Sequence, residues 1–168
     1  MSASLDPGPV RDALIALISA NQTAKFNALD TEYDDSITLD DIASDNIHKA
    51  LMDVYPGYPA AVLFPERNEP SDDYSGFQNR RHSFQVRVFI VSNEAVDGNR
   101  PPEVMEIRLE RTMRGITEVF DENRTLSVTN LNQASIDVIG TIDYLDFDVT
   151  DTGRYRRSAV LPVEVLVK

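Results

Sequence analysis

The stretch 103–123, EVMEIRLERTMRGITEVFDEN, constrains the fold of this chain more than any other. Met105, Leu109, Met113, Ile116 and Phe120 recur at steps of four, four, three and four residues, the interval at which one face of an α-helix repeats. Pro101 and Pro102 stand in the first turn, where a missing N–H costs nothing, and Glu103 and Glu106 complement the positive end of the helix dipole. Glu110 and Arg114 are spaced to pair on the wet side, a contact worth a few tenths of a kcal/mol. A helix with one apolar stripe must bury it against another element. The flanking sequence offers strands for that purpose.

Residues 80–91, RRHSFQVRVFIV, place Phe84, Val86, Val88 and Ile90 on one side of an extended chain. Gln85 and Arg87 face the other way, but so do Phe89 and Val91, so the strand ends apolar on both faces, as in a sheet covered on both sides at that end. Residues 156–167, RRSAVLPVEVLV, repeat the form of an arginine pair followed by an alternating strand. Before it, 134–149 alternates as a strand with Gly140 as a candidate bulge, and TDTGR makes a hairpin turn that returns the chain antiparallel. Pro162 lacks a donor, which predicts an edge or a bulge at that point. AAVLF, 60–64, is a short strand that Pro65 closes, after the turn PGYP.

Towards the N-terminus, Asp6 as cap with Pro7 and Pro9 opens a helix carrying Val10, Leu14, Leu17 and Ile18 on one face, with Ala24 and Ala28 continuing it weakly. Its end lies near Asn21 or towards Leu29. The acidic segment 30–58 reads as a loop-rich connection with a short helix around 47–54, and 66–79 as a polar loop. The order α, β, β, α, β, β predicts one α+β domain over residues 1–168: a four-stranded, mostly antiparallel sheet with the long amphipathic helix and the N-terminal helix packed on it.

Composition narrows the function. Cysteine is absent, which removes disulfides, thiolate metal sites and cysteine nucleophiles and allows a reducing compartment. The apolar run 13–18 is short and preceded by Asp6 and Asp12 without a basic leader, so no signal peptide is expected, and no stretch is long enough to cross a bilayer. Charge is unevenly placed: residues 1–75 hold 14 Asp/Glu against 4 Lys/Arg, a net of −10, and residues 76–168 hold 14 against 12, a net of −2. Such a surface repels phosphate, which argues against tight nucleic-acid binding.

Chemistry is hard to find. His48 and His82 lie in different segments and belong to no catalytic or zinc-ligand motif. The cluster Asp34, Asp35, Asp40 and Asp41 could chelate a divalent cation, but DTEYDDSITLDD has no central Gly and ends in Asp where a calcium loop needs Glu. Phosphate-cradling Gly loops and the hydrolase elbow are missing. No catalytic residue, metal or cofactor is therefore expected. The remaining candidates are for protein contact: Arg80, Arg81, Arg156 and Arg157 as forks for carboxylates, and the acidic cluster as their counterpart on another copy. Solubilising strand ends are the simpler account of the same arginines. Whether the two pairs meet or sit at opposite ends depends on strand pairing.

The N-terminal helix, LDTEYDDSITLDD, YPAAVLF before a polar loop, HSFQVRVFIVSNE entering a long helix, NRTL, and the closing hairpin IDVIGTIDY to GRYRRSAVLPVEVLV together resemble the tail terminator (tail completion, or head–tail joining) proteins of long-tailed bacteriophages. The likeness spans roughly 10–168 and rests on element order, not on a chemical signature. It implies a non-enzymatic virion protein, present in the host cytoplasm during assembly, that forms a hexameric ring on the tail tube. Such a ring halts tube polymerisation and joins the head connector, while DNA passes through the lumen without specific binding. Its partners would be copies of itself, the tail tube protein and the connector, with no membrane. Two other readings stand beside it: a different phage neck or minor tail protein, or a monomeric protein-binding adaptor. A carboxylate-based enzyme in the acidic segment has no motif to support it.

Overall fold

In the computed structural model, residues 6–70, 80–92, 101–128, 134–138, 140–150 and 152–167 are described. Helix α1 spans Pro7–Tyr33; Asp6 caps it by accepting the Gly8 N–H at 2.8 Å. It ends where Asp34 turns left-handed (φ 44°) and its N–H bonds the Asp30 carbonyl at 3.1 Å. The helix thus runs past both sequence-based stopping points. Val10, Leu14, Ile18, Gln22 and Phe26 follow one another at steps of four and are buried, with Leu29 after them. Ala24 and Ala28 are exposed, so Phe26 and Leu29 continue the buried face in their place.

Among the described residues one sheet holds the strands β1 (Ile47–His48), β2 (Ala60–Pro70), β3 (Arg80–Val91), β4 (Thr125–Leu126), β5 (Ala134–Val138), β6 (Asp143–Tyr144), β7 (Asp148–Val149) and β8 (Tyr155–Val167). Their order is β1-β2-β3-β8-β5-β4, with β6 and β7 also paired to β8. Only β1 with β2 runs parallel; every other pair is antiparallel. The class is α+β, and the sheet is strongly curled, with short strands beyond the expected four. Helix α2, Pro101–Glu122, lies on β3, β5 and β8, while α1 packs on α2 and β2.

Several local expectations change. Residues 47–54 form no helix: Ser44–Asn46 make one 3-10 turn, and Ile47 and His48 pair with Ala61 and Val62. β2 does not stop at Pro65. After a register shift between Pro65 and Arg67 it pairs on to Pro70 opposite Arg80, so 66–70 is strand and the rest of the expected loop, 71–79, lies outside the described residues. The strand expected over 134–149 is three short pieces along β8, with two residues gained between β5 and β6. That gain lies opposite Pro162, where Gly140 takes φ 100°. A Cβ on Gly140 would sit 3.4 Å from the Pro162 ring. Pro162 is therefore tolerated in a central strand because the neighbouring strand breaks beside it, and the edge reading gives way to the bulge reading.

All five stripe residues of α2 are buried. Beneath them β3 contributes Phe84, Val86, Val88 and Ile90, and β8 contributes Ala159, Leu161, Val163, Val165 and Val167. Each leucine-sized side chain buried here contributes roughly 1.5–3 kcal/mol. The two helices close on each other at Gly115, where a Cβ would meet the Phe26 ring at 2.7 Å. On the opposite sheet face a smaller cluster of Ala60, Val62 and Phe89 is covered by Tyr55 and Tyr58. The doubly apolar end of β3 has its two covers.

Candidate interaction surfaces

The register of β3 on β8 decides where the arginine pairs lie. Arg80 and Arg81 stand opposite Val167 and Leu166, and Arg156 and Arg157 stand opposite Val91 and Ile90. The pairs are at opposite ends of the ladder, roughly 30 Å apart at about 3.3 Å per residue. Because successive strand residues face opposite ways, each pair also splits between the two sheet faces.

Arg157 points to the helix side, where its Nη1 lies 3.1 Å from the Glu106 carboxylate. Arg156 points to the other side, where Nη2 donates to Asp148 at 2.8 Å and Nη1 donates to the Asp53 carbonyl at 3.1 Å. The Tyr58 hydroxyl and Asp148 together raise the Arg156 pKa, and a main-chain N–H at Val149 with the Arg156 fork holds Asp148 below the usual carboxylate range. Arg81 lies 3.5 Å from Glu164, exposed. Arg80 is half-buried and has no carboxylate within ion-pair reach among the described residues. Three of the four arginines are thus already engaged within the chain.

The acidic cluster divides in the same manner. Asp35 accepts both arms of Arg111, Nη1 at 2.9 Å, and also the Ile37 N–H at 2.9 Å. That fork, first, and the Ile37 N–H, second, pull its pKa down to about 2. Asp41 accepts from the Thr23 hydroxyl, Asp34 serves as the left-handed end of α1, and Asp40 is exposed. Among the described residues no group of three or more His, Asp or Glu is gathered as a cation would need.

The acidic segment is pinned at many points that the sequence did not announce. Gln22, buried in α1, donates to the Ile42 carbonyl at 2.8 Å and accepts the Ile42 N–H at 3.0 Å, as a strand neighbour would. Asp30 accepts the Leu39 N–H, and Arg108 donates to the Thr38 carbonyl at 3.3 Å. Arg114 does not pair with Glu110. It forks onto Glu32 at 2.9 Å through both Nη atoms, meets the Tyr33 hydroxyl, and takes Glu118 as its helical neighbour at 2.9 Å. Arg111 lies 3.9 Å above the Tyr33 ring. The arginines at 108, 111 and 114 recur every three residues, so α2 turns one basic row towards 32–38. The only legible signal was that row beside an excess of acid.

Large apolar side chains also stand free. Leu51, Met52 and Val54 project from the segment over the outer sheet face, and Tyr144, Val149 and Tyr155 project from β6, β7 and the start of β8, with Phe147 in the link between β6 and β7. Val54 and Phe147 are each 61% exposed. Phe147 meets Tyr155 edge-on at 6.0 Å and borders a hollow of about 330 Å³ with Pro102 and Met105 on the helix side. On the outer side Leu51, Met52, Val54, Phe89 and Val149 line a groove of about 470 Å³ that also holds Arg87 and Arg156. Exposed apolar residues gathered at one end of a molecule mark contact surfaces more often than chance exposure does.

No family model and no curated protein matches this chain. It is similar to a solved structure that carries no functional name, at 18% identity over 66% of this chain and 67% of the other, with a TM-score of 0.32. A likeness so distant says nothing of function. Among the described residues no helix is long and apolar enough to cross a membrane.

Proposed function

We propose that this chain is a non-enzymatic assembly protein of a phage tail, a tail terminator that forms a ring of six copies. The ring caps the tail tube, halts its growth and joins it to the head connector while DNA passes through. One observation carries the reading beyond the resemblance in element order: large apolar side chains stand exposed together where β6 and β7 meet β8. Phe147 and Tyr155 at a hollow edged by Pro102 and Met105 have the aromatic character of an interface core. A second copy is the occupant that this reading assigns to the Phe147 surface. Head-to-tail contact of that surface with a different part of the next copy closes a ring if the rotation closes.

The two sheet faces then share the work. The helix side keeps the subunit folded, and the hairpin end and outer face recognise other chains. Virion location, tail tube and connector as partners, and DNA held by no specific contact all belong to this proposal. Native mass measurement at rising concentration, repeated with tail tubes added, tests it. A discrete ring mass, alone or on the tube, is the expected result. A lone particle at high concentration that also ignores tail tubes overturns it.

A further inference from the structure

Arg87 sits mid-strand in β3, half-buried on the outer sheet face between Val62 and Val160. Its Nε and Nη2 both donate to one atom, the Ser158 hydroxyl, at 3.2 and 3.0 Å, and its guanidinium lies 4.7 Å from the centre of the Phe89 ring. No carboxylate of the described residues is within ion-pair reach of it, unlike Arg156 beside it, which holds Asp148. Burial first, and the like charge of Arg156 beside it, lower the Arg87 pKa. A guanidinium that spends two donors on a single hydroxyl keeps further donors for a ligand.

The groove above it has apolar walls in Leu51, Met52, Val54, Phe89 and Val149. Of its two carboxylates, Asp148 is bound to Arg156, and Asp53 is exposed on the covering segment. At about 470 Å³ it can take a few side chains, not a folded surface. We propose that this groove is a peptide-binding site for another polypeptide, receiving an acidic side chain on Arg87 between apolar neighbours on Val54 and Val149. The complementarity is that of a fork with a carboxylate in partly desolvated surroundings. The occupant is a different chain and not a second copy. Among the described residues, this chain's own acidic–apolar run at 37–42 has Leu39 and Ile42 packed into the core, and its runs at 51–54 and 143–149 supply walls of the groove. The site rests on the assembly reading only in that its partner is a protein.

The test pans a random peptide library displayed on phage against the immobilised full chain and against Arg87→Gln. The expected result is enrichment of peptides with Asp or Glu flanked by apolar residues, falling at least about tenfold on Arg87→Gln. Heat unfolding checks that the variant is folded. Val149→Asp, on an exposed wall that Arg87 does not touch, serves as the second variant and loses the same peptides. Equal recovery on both variants, a basic consensus, or no enrichment overturns the site. Self-association of the wild type that Arg87→Gln abolishes names a second copy as occupant and overturns the inference, while leaving the ring reading intact. A ring that forms unchanged in Arg87→Gln alongside lost peptide binding supports it.

Discussion

On the helix side of the sheet, every inward residue of β3 from His82 to Ile90 and of β8 from Ala159 to Val167 is buried. On the outer side only the end near Phe89 is closed, by Tyr55 and Tyr58, while Gln85, Val160, Pro162 and Glu164 stay partly exposed. The same two strands therefore make a finished face and an unfinished one. The finished face is sealed by α1 and α2 and by the polar seam that ties 30–42 to them. The unfinished face carries a cation with no counter-charge among the described residues and leaves apolar side chains in water. One side shows how stability is made, and the other keeps apolar and charged side chains within reach of water.

Substitutions break the contrast from the strong end first. Phe120→Ala, at the fully buried last position of the α2 stripe, is expected to cost about 3–5 kcal/mol by denaturant unfolding, from lost transfer energy plus a cavity. A smaller loss would mean that the helix face repacks freely. Gln22→Leu keeps the volume but strands the Ile42 N–H and carbonyl; the expected cost is about 2–3 kcal/mol, with faster amide exchange along 39–42. Gly115→Ala gains helix propensity yet drives a methyl into the Phe26 ring, for a net loss of about 1–2 kcal/mol in thermal unfolding.

The polar seam gives a pH signature. The Asp35 pKa is depressed in the folded chain to about 2, so its contribution is complete above the ordinary carboxylate range and is lost as pH falls towards about 2. Acid unfolding of the wild type and Asp35→Asn should differ at neutral pH and converge by about pH 2. A constant gap across that window would show that the Arg111 fork contributes little.

The helix face was the legible part of the sequence. The stripe from Met105 to Phe120 and the alternation in β3 and β8 read correctly, because long apolar side chains repeat there without interruption. α1 is less legible since Gln22, a polar residue, holds a core position and interrupts the apolar period beside Asn21, the earlier of its two expected ends. The outer half of β2 shows no period because residues 65–70 are exposed, and the pieces of 134–149 lose register at Gly140. Among candidate contacts, the sequence could list Arg156, Arg157 and Asp35 but not their partners at Asp148, Glu106 and Arg111, which lie in distant segments or across a turn. Arg87 drew no notice as one polar residue of an alternating strand. Its significance depends on what is missing around it in three dimensions.

The most direct test turns to the open hollow at Phe147, which lies on the helix side beyond the sealed stretch of that face. Phe147→Asp changes an exposed side chain, so its unfolding free energy should match the wild type within about 0.5 kcal/mol. Sedimentation of the two proteins at equal, high concentration is then decisive. A ring mass for the wild type and a monomer for Phe147→Asp is the predicted result; a monomeric wild type, or a variant that assembles as the wild type does, would contradict the assignment of that end of the molecule to assembly.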